Sequence, residues 1–363
     1  MPDTPLAKKL KTEISAHGPL SIARFMDACL ADPTHGYYRT RDPLGAGGDF
    51  ITAPEISQIF GELIGLWCVE VWRSMGAPAP LQLVELGPGR GTLMADAMRA
   101  CSVVPDFEQT ARLHLVETSP VLRKAQQDRL AEYSPQWHET IADVTPGATL
   151  VIANEFLDAL PIRQLVRRSG AWFERCVGTD KNGALVYCER DHPCADNDLV
   201  PKKMAKISSE GAIAEIRPDA AILIEQLGAR AAAHPLVALF VDYGHERSAP
   251  GDTFQAVSGH GYADPLESPG ECDLTAHVDF HQLAEIAATR GLRVHGPLAQ
   301  RDFLLSLGLA QRCEQLMKNA DDETARAVAR GAERVVDAGA MGMLFKVLAL
   351  GSESVPAPPP FEP

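Results

Sequence analysis

The stretch LQLVELGPGRGTL, residues Leu81–Leu93, decides the fold. LQLVEL has the length and apolar composition of a buried strand. Gly87, Gly89 and Gly91 then alternate with Pro88 and Arg90. The chain resumes as GTLMADAMRAC, with Leu93, Met94, Ala97 and Met98 at helical spacing. A strand that feeds a glycine loop and then a helix N-terminus sets bare backbone against a ligand. A phosphate-gripping loop would end in Gly-Lys-Ser/Thr, but here the loop closes as Gly89-Arg90-Gly91-Thr92. A dinucleotide loop would read G-x-G-x-x-G, and the spacing here is G-x-G-x-G. A tight strand-to-helix turn with no ligand is the plain alternative.

With Glu85 in front, the pattern E-x-G-x-G-x-G resembles the first motif of class I S-adenosylmethionine-dependent methyltransferases. A second unit, RLHLVETSP, is another apolar strand ending in an acid, Glu117, with Ser119 and Pro120 placed to start a helix. In nucleotide-binding α/β folds the acid after the second strand accepts from ribose hydroxyls. A third stretch, TLVIANEFLDALPIRQ, ends its strand in Asn154-Glu155, with Asp158 three residues on. If the backbone turns helical there, Glu155 and Asp158 share a face. Paired carboxylates suit a guanidinium, whose planar fork binds them bidentately. The alternative is a helix N-terminus that simply favours acids.

The 363 residues are enough for a sizeable core in one or two domains, and 45% apolar with 23% charged is an ordinary globular composition. A net charge of −14 argues against a phosphate-binding surface, and so against nucleic acid, while leaving room for a basic protein segment as substrate. None of the eight cysteines forms a C-x-x-C pair, which speaks for a reducing compartment and against a metal site. No stretch has the length of a transmembrane helix, and MPDTPLAKKLKTEIS lacks an apolar signal core. A bacterial cytoplasmic protein fits, as does a processed protein of the mitochondrial matrix. Oligomeric state is not readable.

Strands are expected at 81–86, 112–117, about 137–141, 148–153, 236–242, 292–295 and 342–350, alternating with helices. That alternation predicts an α/β fold with a doubly wound, mostly parallel sheet. Residues 1–75 read as a helical segment in which GAGGDFITAPEIS is a candidate cofactor lid, with Gly48, Asp49 and Phe50 in its loop. Thr52, Pro54 and Glu55 start its helix, Thr52 and Glu55 forming a capping box. Gly61 and Gly65, four apart, would let a second backbone approach. The core is expected at 76–161 and 216–350, with a helical insertion at 301–337, a β-hairpin insertion at 162–215 and a disordered tail at 351–363.

The stretches DPTHGYY, GDFITAPEISQIFGELIGLW, LVELGPGRGTLMADAMRA, LHLVETSP, VIANEFLDALPIRQ, VDYGH, GDTFQAVSGH, GECDLTAHVDF and MGMLFKVLAL together resemble the MidA-like methyltransferase family, which includes the mitochondrial complex I assembly methyltransferase. They run from near residue 20 to near residue 350. The resemblance implies a class I, Rossmann-like, seven-stranded methyltransferase sheet and S-adenosyl-L-methionine as donor. It also implies, for the mitochondrial member, arginine methylation of a respiratory complex I subunit, and so a protein partner. Gly87, Pro88, Gly89 and Gly91 would then hold the methionine end near Glu85, Glu117 and Thr118 the ribose, and Asp143 the adenine amine. Asn154, Glu155 and Asp158 would serve the acceptor, Asn154 also facing the cofactor. Asp242, Tyr243, His245 and His277 would line the substrate side. The two-glutamate loop of better-known arginine methyltransferases is absent, so Glu155 and Asp158 would substitute for it. Three rival readings stay open: another acceptor for the same donor, a cofactor-binding assembly factor with little catalysis, and a nicotinamide oxidoreductase.

Overall fold

The run LQLVEL forms a strand, β1 (Leu81–Leu86), with every residue buried. The computed structural model describes residues 3–40, 52–194, 200–259 and 261–361. The contacts divide the chain into two units, one made of residues 51–157, 223–246 and 283–363 and the other of residues 1–50, 158–222 and 247–282.

In the first unit β1 is joined by β2 (Ala111–Val116), β3 (Gln136–His138), β4 (Thr149–Asn154), β5 (Leu236–His245), β6 (Arg293–Ala299) and β7 (Phe345–Gly351). Their order across the sheet is β3-β2-β1-β4-β5-β7-β6. The pairs β1–β2, β1–β4, β2–β3 and β4–β5 are parallel, and β7 runs antiparallel to both β5 and β6. This is the Rossmann-like class I methyltransferase sheet, with one antiparallel strand let into a parallel set. β1, β4 and β7 are buried throughout, as strands covered on both faces must be. The last strand starts at Phe345, later than its apolar run suggests, because Met341–Leu344 make a helical turn. That turn sits so close to the preceding helix that a Cβ on Gly342 would lie 2.2 Å from the Val336 carbonyl oxygen.

Helix α1 (Gln58–Ser74) packs on helix α2 (Thr92–Cys101) through the two glycines spaced four apart. A Cβ on Gly65 would lie 2.4 Å from the Ala97 carbonyl oxygen, and one on Gly61 2.7 Å from the Asp96 Cβ. Helix α3 (Pro120–Arg129) follows β2, its N-terminus capped by the Ser119 hydroxyl. The proline-rich tail differs from the disordered segment that its composition suggests. Val355 is buried, Trp67 Nε1 donates to the Pro359 carbonyl, and Phe361 packs on Phe303 at 5.9 Å between ring centroids.

The second unit has its own core, which includes Phe25, Met26, Ile162, Val177 and Leu274. Its antiparallel strands Leu20–Ser21, Ala171–Thr179, Arg163–Arg168 and Ile213–Ile216 pair in that order, with Leu185–Glu189 beside Ala171–Thr179. The turn between the last two carries Gly183 at φ +80°, and Asp180 Oδ1 accepts from the Asn182 N–H. Residues 1–75 therefore do not stay together as expected. Helices Pro5–His17 and Ile22–Ala31 bury their apolar faces in the second unit's core, whereas α1 buries its own in the first. Residues 247–282, expected within the core domain, also group with the second unit.

Candidate active site

The strand order reverses between β1 and β4, one leading to β2 and the other to β5, and open α/β sheets bind ligands at the carboxyl ends of such strands. The glycine loop leaves β1 at that edge. Gly87, Gly89 and Gly91 stand at φ +61°, +53° and +77°, left-handed conformations that favour glycine. At Gly87 a second reason applies, since a Cβ there would lie 2.7 Å from Cδ2 of the Phe156 ring. The Pro88 carbonyl accepts from the Gly91 N–H at 2.7 Å, and Gly91 caps α2.

Gln126 fixes the loop from the side. Its Nε2 donates to the Gly89 carbonyl at 2.6 Å and to Glu117 Oε2 at 3.3 Å, and its Oε1 accepts from Trp137 Nε1 at 2.8 Å. The sequence reading misses this residue. The signal was present: Leu122, Gln126 and Leu130 fall at four-residue steps, and an amide in that buried row must have partners.

Glu85, at 3% exposure, has an Oε2 with no hydrogen-bond partner among the described residues. Burial pushes its carboxyl up to about 8, with the nearby Glu117 adding to the shift. Glu117 itself accepts from the Ser119 N–H at 2.7 Å and from Gln126. Burial raises its carboxyl, and hydrogen bonds from Ser119, Gln126 and the Thr118 backbone oppose the rise. At the end of β4, Asn154 donates through Nδ2 to Glu155 Oε1 at 3.2 Å, while its buried Oδ1 has no partner among the described residues.

The backbone after β4 bends and turns and does not become helical, so Glu155 and Asp158 do not share a helical face. Glu155 stands at φ +49°, uncommon for a residue with a Cβ. Its N–H donates to the Val241 carbonyl at 2.9 Å, and its Oε1 accepts from the Ala53 N–H at 3.0 Å. Asp158 is buried, opens the next segment of the second unit, and accepts from the Ala159 N–H at 2.9 Å. Asp242 is buried as a brace, Oδ2 accepting from the Leu157 N–H and Oδ1 from the Tyr243 N–H, both at 2.9 Å. Tyr243 packs against Phe345 at 5.5 Å between centroids, and His245 ends β5 half-buried. His277 lies in the second unit, its N–H donating to Thr253 Oγ1 at 2.9 Å.

The capping box expected at Thr52 and Glu55 does not form. Thr52 precedes the short helix Ala53–Ile56 without a side-chain cap, Pro54 is buried in that helix, and Glu55 accepts from Thr92 Oγ1 at the start of α2. Asp143, by contrast, does close a capping box. Its Oδ2 accepts from the Thr140 N–H and hydroxyl, both at 3.0 Å, and those bonds hold this exposed carboxylate below its usual range. Gly48, Asp49 and Phe50, the candidate lid, lie outside the described residues.

Residues 63–298 match the family model described as an S-adenosyl-L-methionine-dependent methyltransferase. The chain belongs to that methyltransferase family. Among similar proteins, the mitochondrial protein arginine methyltransferase NDUFAF7 homolog of Drosophila melanogaster is 39% identical, over 95% of this chain and 84% of its own. The mitochondrial protein arginine methyltransferase NDUFAF7 of Danio rerio is 36% identical over 94% of this chain and 85% of its own. A crystal structure from Burkholderia thailandensis, bound to S-adenosyl-homocysteine, superposes with a TM-score of 0.83 at 26% identity, covering 97% of this methyltransferase and 92% of that chain. S-adenosyl-L-methionine is the methyl donor of this family. The residues at the carboxyl ends of β1 and β4 fit such a molecule: a loop with glycine at three alternate positions, and two buried acceptor atoms, Glu85 Oε2 and Asn154 Oδ1, that its ammonium and hydroxyl groups can satisfy.

Proposed function

We propose that this methyltransferase acts on an arginine side chain of a protein, a subunit of respiratory complex I. The observation that carries the proposal is that relatives 33–39% identical over 94–96% of the chain are named protein arginine methyltransferases. The net charge of −14 adds to it, since it favours a cationic partner. Those relatives are named as mitochondrial proteins, which favours the matrix and lends nothing to a cytoplasmic location.

When bound, the cofactor supplies an already activated methyl group on its sulfonium. The chain's own residues then have three tasks. The Gly87–Gly91 loop and Glu85 receive the methionine end, and Glu117, with Thr118 beside it, receives the ribose hydroxyls. Asp143 is a weaker assignment for the adenine amine, because its carboxylate already closes a cap. Glu155 serves the acceptor. A guanidinium stays protonated at neutral pH, its pKa being above ~12. Its nitrogen becomes a nucleophile only if a carboxylate orients it and takes a proton. The Ala53 N–H and Asn154 Nδ2 hold Glu155 Oε1 in place for that work. Asp158 is a second candidate, tested by its own variant.

The experiment is incubation of the protein with labelled cofactor and complex I subunits, followed by mapping of the label. Label on an arginine that is lost in Glu155→Gln supports the proposal. Label on another residue type refutes the acceptor and leaves the methyltransferase.

A further inference from the structure

Buried carboxylates in the first unit are, as a rule, held by donors. Glu62, at 3% exposure, accepts from Arg312 Nε at 2.8 Å and from Arg99 Nη2 at 3.1 Å. Asp242, at 1%, accepts from two backbone N–H groups. Glu85 is as deeply buried, yet its Oε2 has no donor among the described residues.

Among the described residues, no compensating charge faces Glu85 either. From the segment after β2 it is faced by the Glu117 carboxylate, which repels a second negative charge. From α1 it is faced by Cys68, a thiol that burial keeps protonated. From β4 its neighbour in register is the apolar Ile152. A carboxylate in such a place would lose its hydration and gain nothing, so it keeps a proton instead. The rise of its carboxyl to about 8 agrees with that geometry. Glu85 and Glu117 titrate as a neighbouring pair, and the proton rests on Glu85 because Glu117 has Ser119 and Gln126 to hold its charge.

We infer that Glu85 is a proton-releasing cofactor sensor, neutral in the free protein and ionised once the cofactor's ammonium group lies against it. This rests on the reading that the methionine end of the cofactor meets Glu85. The balance is simple. The ammonium arrives already charged, the Glu85 carboxyl gives its proton to solvent, and the pair left behind is a carboxylate and an ammonium. S-adenosylmethionine and S-adenosylhomocysteine both carry that ammonium, so substrate and product both expel the proton. Acid therefore loosens both, and the free site holds no uncompensated charge while it waits.

The test is calorimetric titration of the full chain with S-adenosylhomocysteine near pH 7, in two buffers of different ionisation enthalpy. The expected result is release of close to one proton per ligand bound, with affinity rising about tenfold per pH unit and levelling above about pH 8. In Glu85→Gln the ligand should bind more weakly, release no proton and show no such slope. Binding without proton release, or release that persists in Glu85→Gln, overturns the inference while the cofactor reading stands. Absence of any binding by the natural chain overturns both. A measurement on the unaltered protein guards against a variant that fails to fold. Infrared difference spectra should lose a protonated-carboxyl band when S-adenosylhomocysteine is added, a band that moves when glutamate is carbon-13 labelled. If no such band is lost, Glu85 was ionised from the start and the inference fails.

Discussion

The acids at the ends of β1 and β2 are arranged differently from those at the ends of β4 and β5. At the first pair of strands, Glu117 is partly satisfied and Glu85 keeps an acceptor atom with no donor against it among the described residues. At the second pair, Asp242 gives both carboxylate oxygens to backbone N–H groups, and Glu155 accepts from the Ala53 N–H and from Asn154. Glu85 is thus an acid open to a ligand, and Asp242 is one that builds the wall around it. A buried carboxylate oxygen without a donor points outward to chemistry, and a carboxylate with a backbone donor on each oxygen points inward to architecture.

The largest expected effect tests the wall. Asp242→Ala removes the carboxylate that accepts from the Leu157 and Tyr243 N–H groups, which should cost roughly 2–4 kcal/mol of stability. A denaturant midpoint unchanged from the natural chain would show that the brace carries nothing. Next comes the acceptor. Glu155→Gln should lower methyl transfer to an arginine peptide by about 10²-fold or more while leaving S-adenosylhomocysteine affinity near that of the natural protein. Asp158→Asn, measured beside it, separates the two acids. If affinity collapses in Glu155→Gln instead, this residue belongs to the cofactor side and the contrast between the strand pairs dissolves.

Glu117→Ala should weaken S-adenosylhomocysteine binding by roughly 1–3 kcal/mol, through lost hydrogen bonds to neutral hydroxyls. The smallest effect per step is on the pH dependence of the cofactor-free protein. Glu85 holds its proton up to about 8 when folded and up to about 4.5 when unfolded. Between those values the folded state binds more protons, so stability falls as pH rises, by at most ~1.4 kcal/mol per unit. Melting of Glu85→Gln should lack that decline, so the variant gains on the natural chain from pH 5 to pH 8. A parallel pair of melting profiles would place Glu85 with the fully partnered acids.

Much of the sheet was legible because buried parallel strands write themselves as short apolar runs, and LQLVEL, RLHLV and TLVIAN do so plainly. The glycine loop was legible for the same local reason. Other features depend on partners far away in the chain. Nothing in MGMLFKVLAL says that its first residues turn into a helical bend against Val336. Thr52 and Glu55 carry the spacing of a capping box, but Thr92 competes for the glutamate and takes it. Asp242 reads as an acid at a strand end, and only the approach of the Leu157 N–H turns it into a brace. The grouping of residues 1–50 with 158–222 and 247–282 follows from side-chain packing across three separate segments, which periodicity cannot register.

The position of β7 has a consequence for how the molecule is made. This strand is the last of the seven to leave the ribosome, yet it lies between β5 and β6, both of which precede it. Its register joins Val237 to Gly351 and Tyr243 to Phe345. Until those late residues arrive, one long edge of β5, apolar from Leu236 to Val241, has no partner strand. An exposed apolar edge is a template for the wrong neighbour, including the same edge of another nascent chain. The newborn polypeptide must therefore carry an open sheet edge from the completion of β5 until β7 is made, and its yield in a cell should depend on what shields that edge until translation reaches the seventh strand.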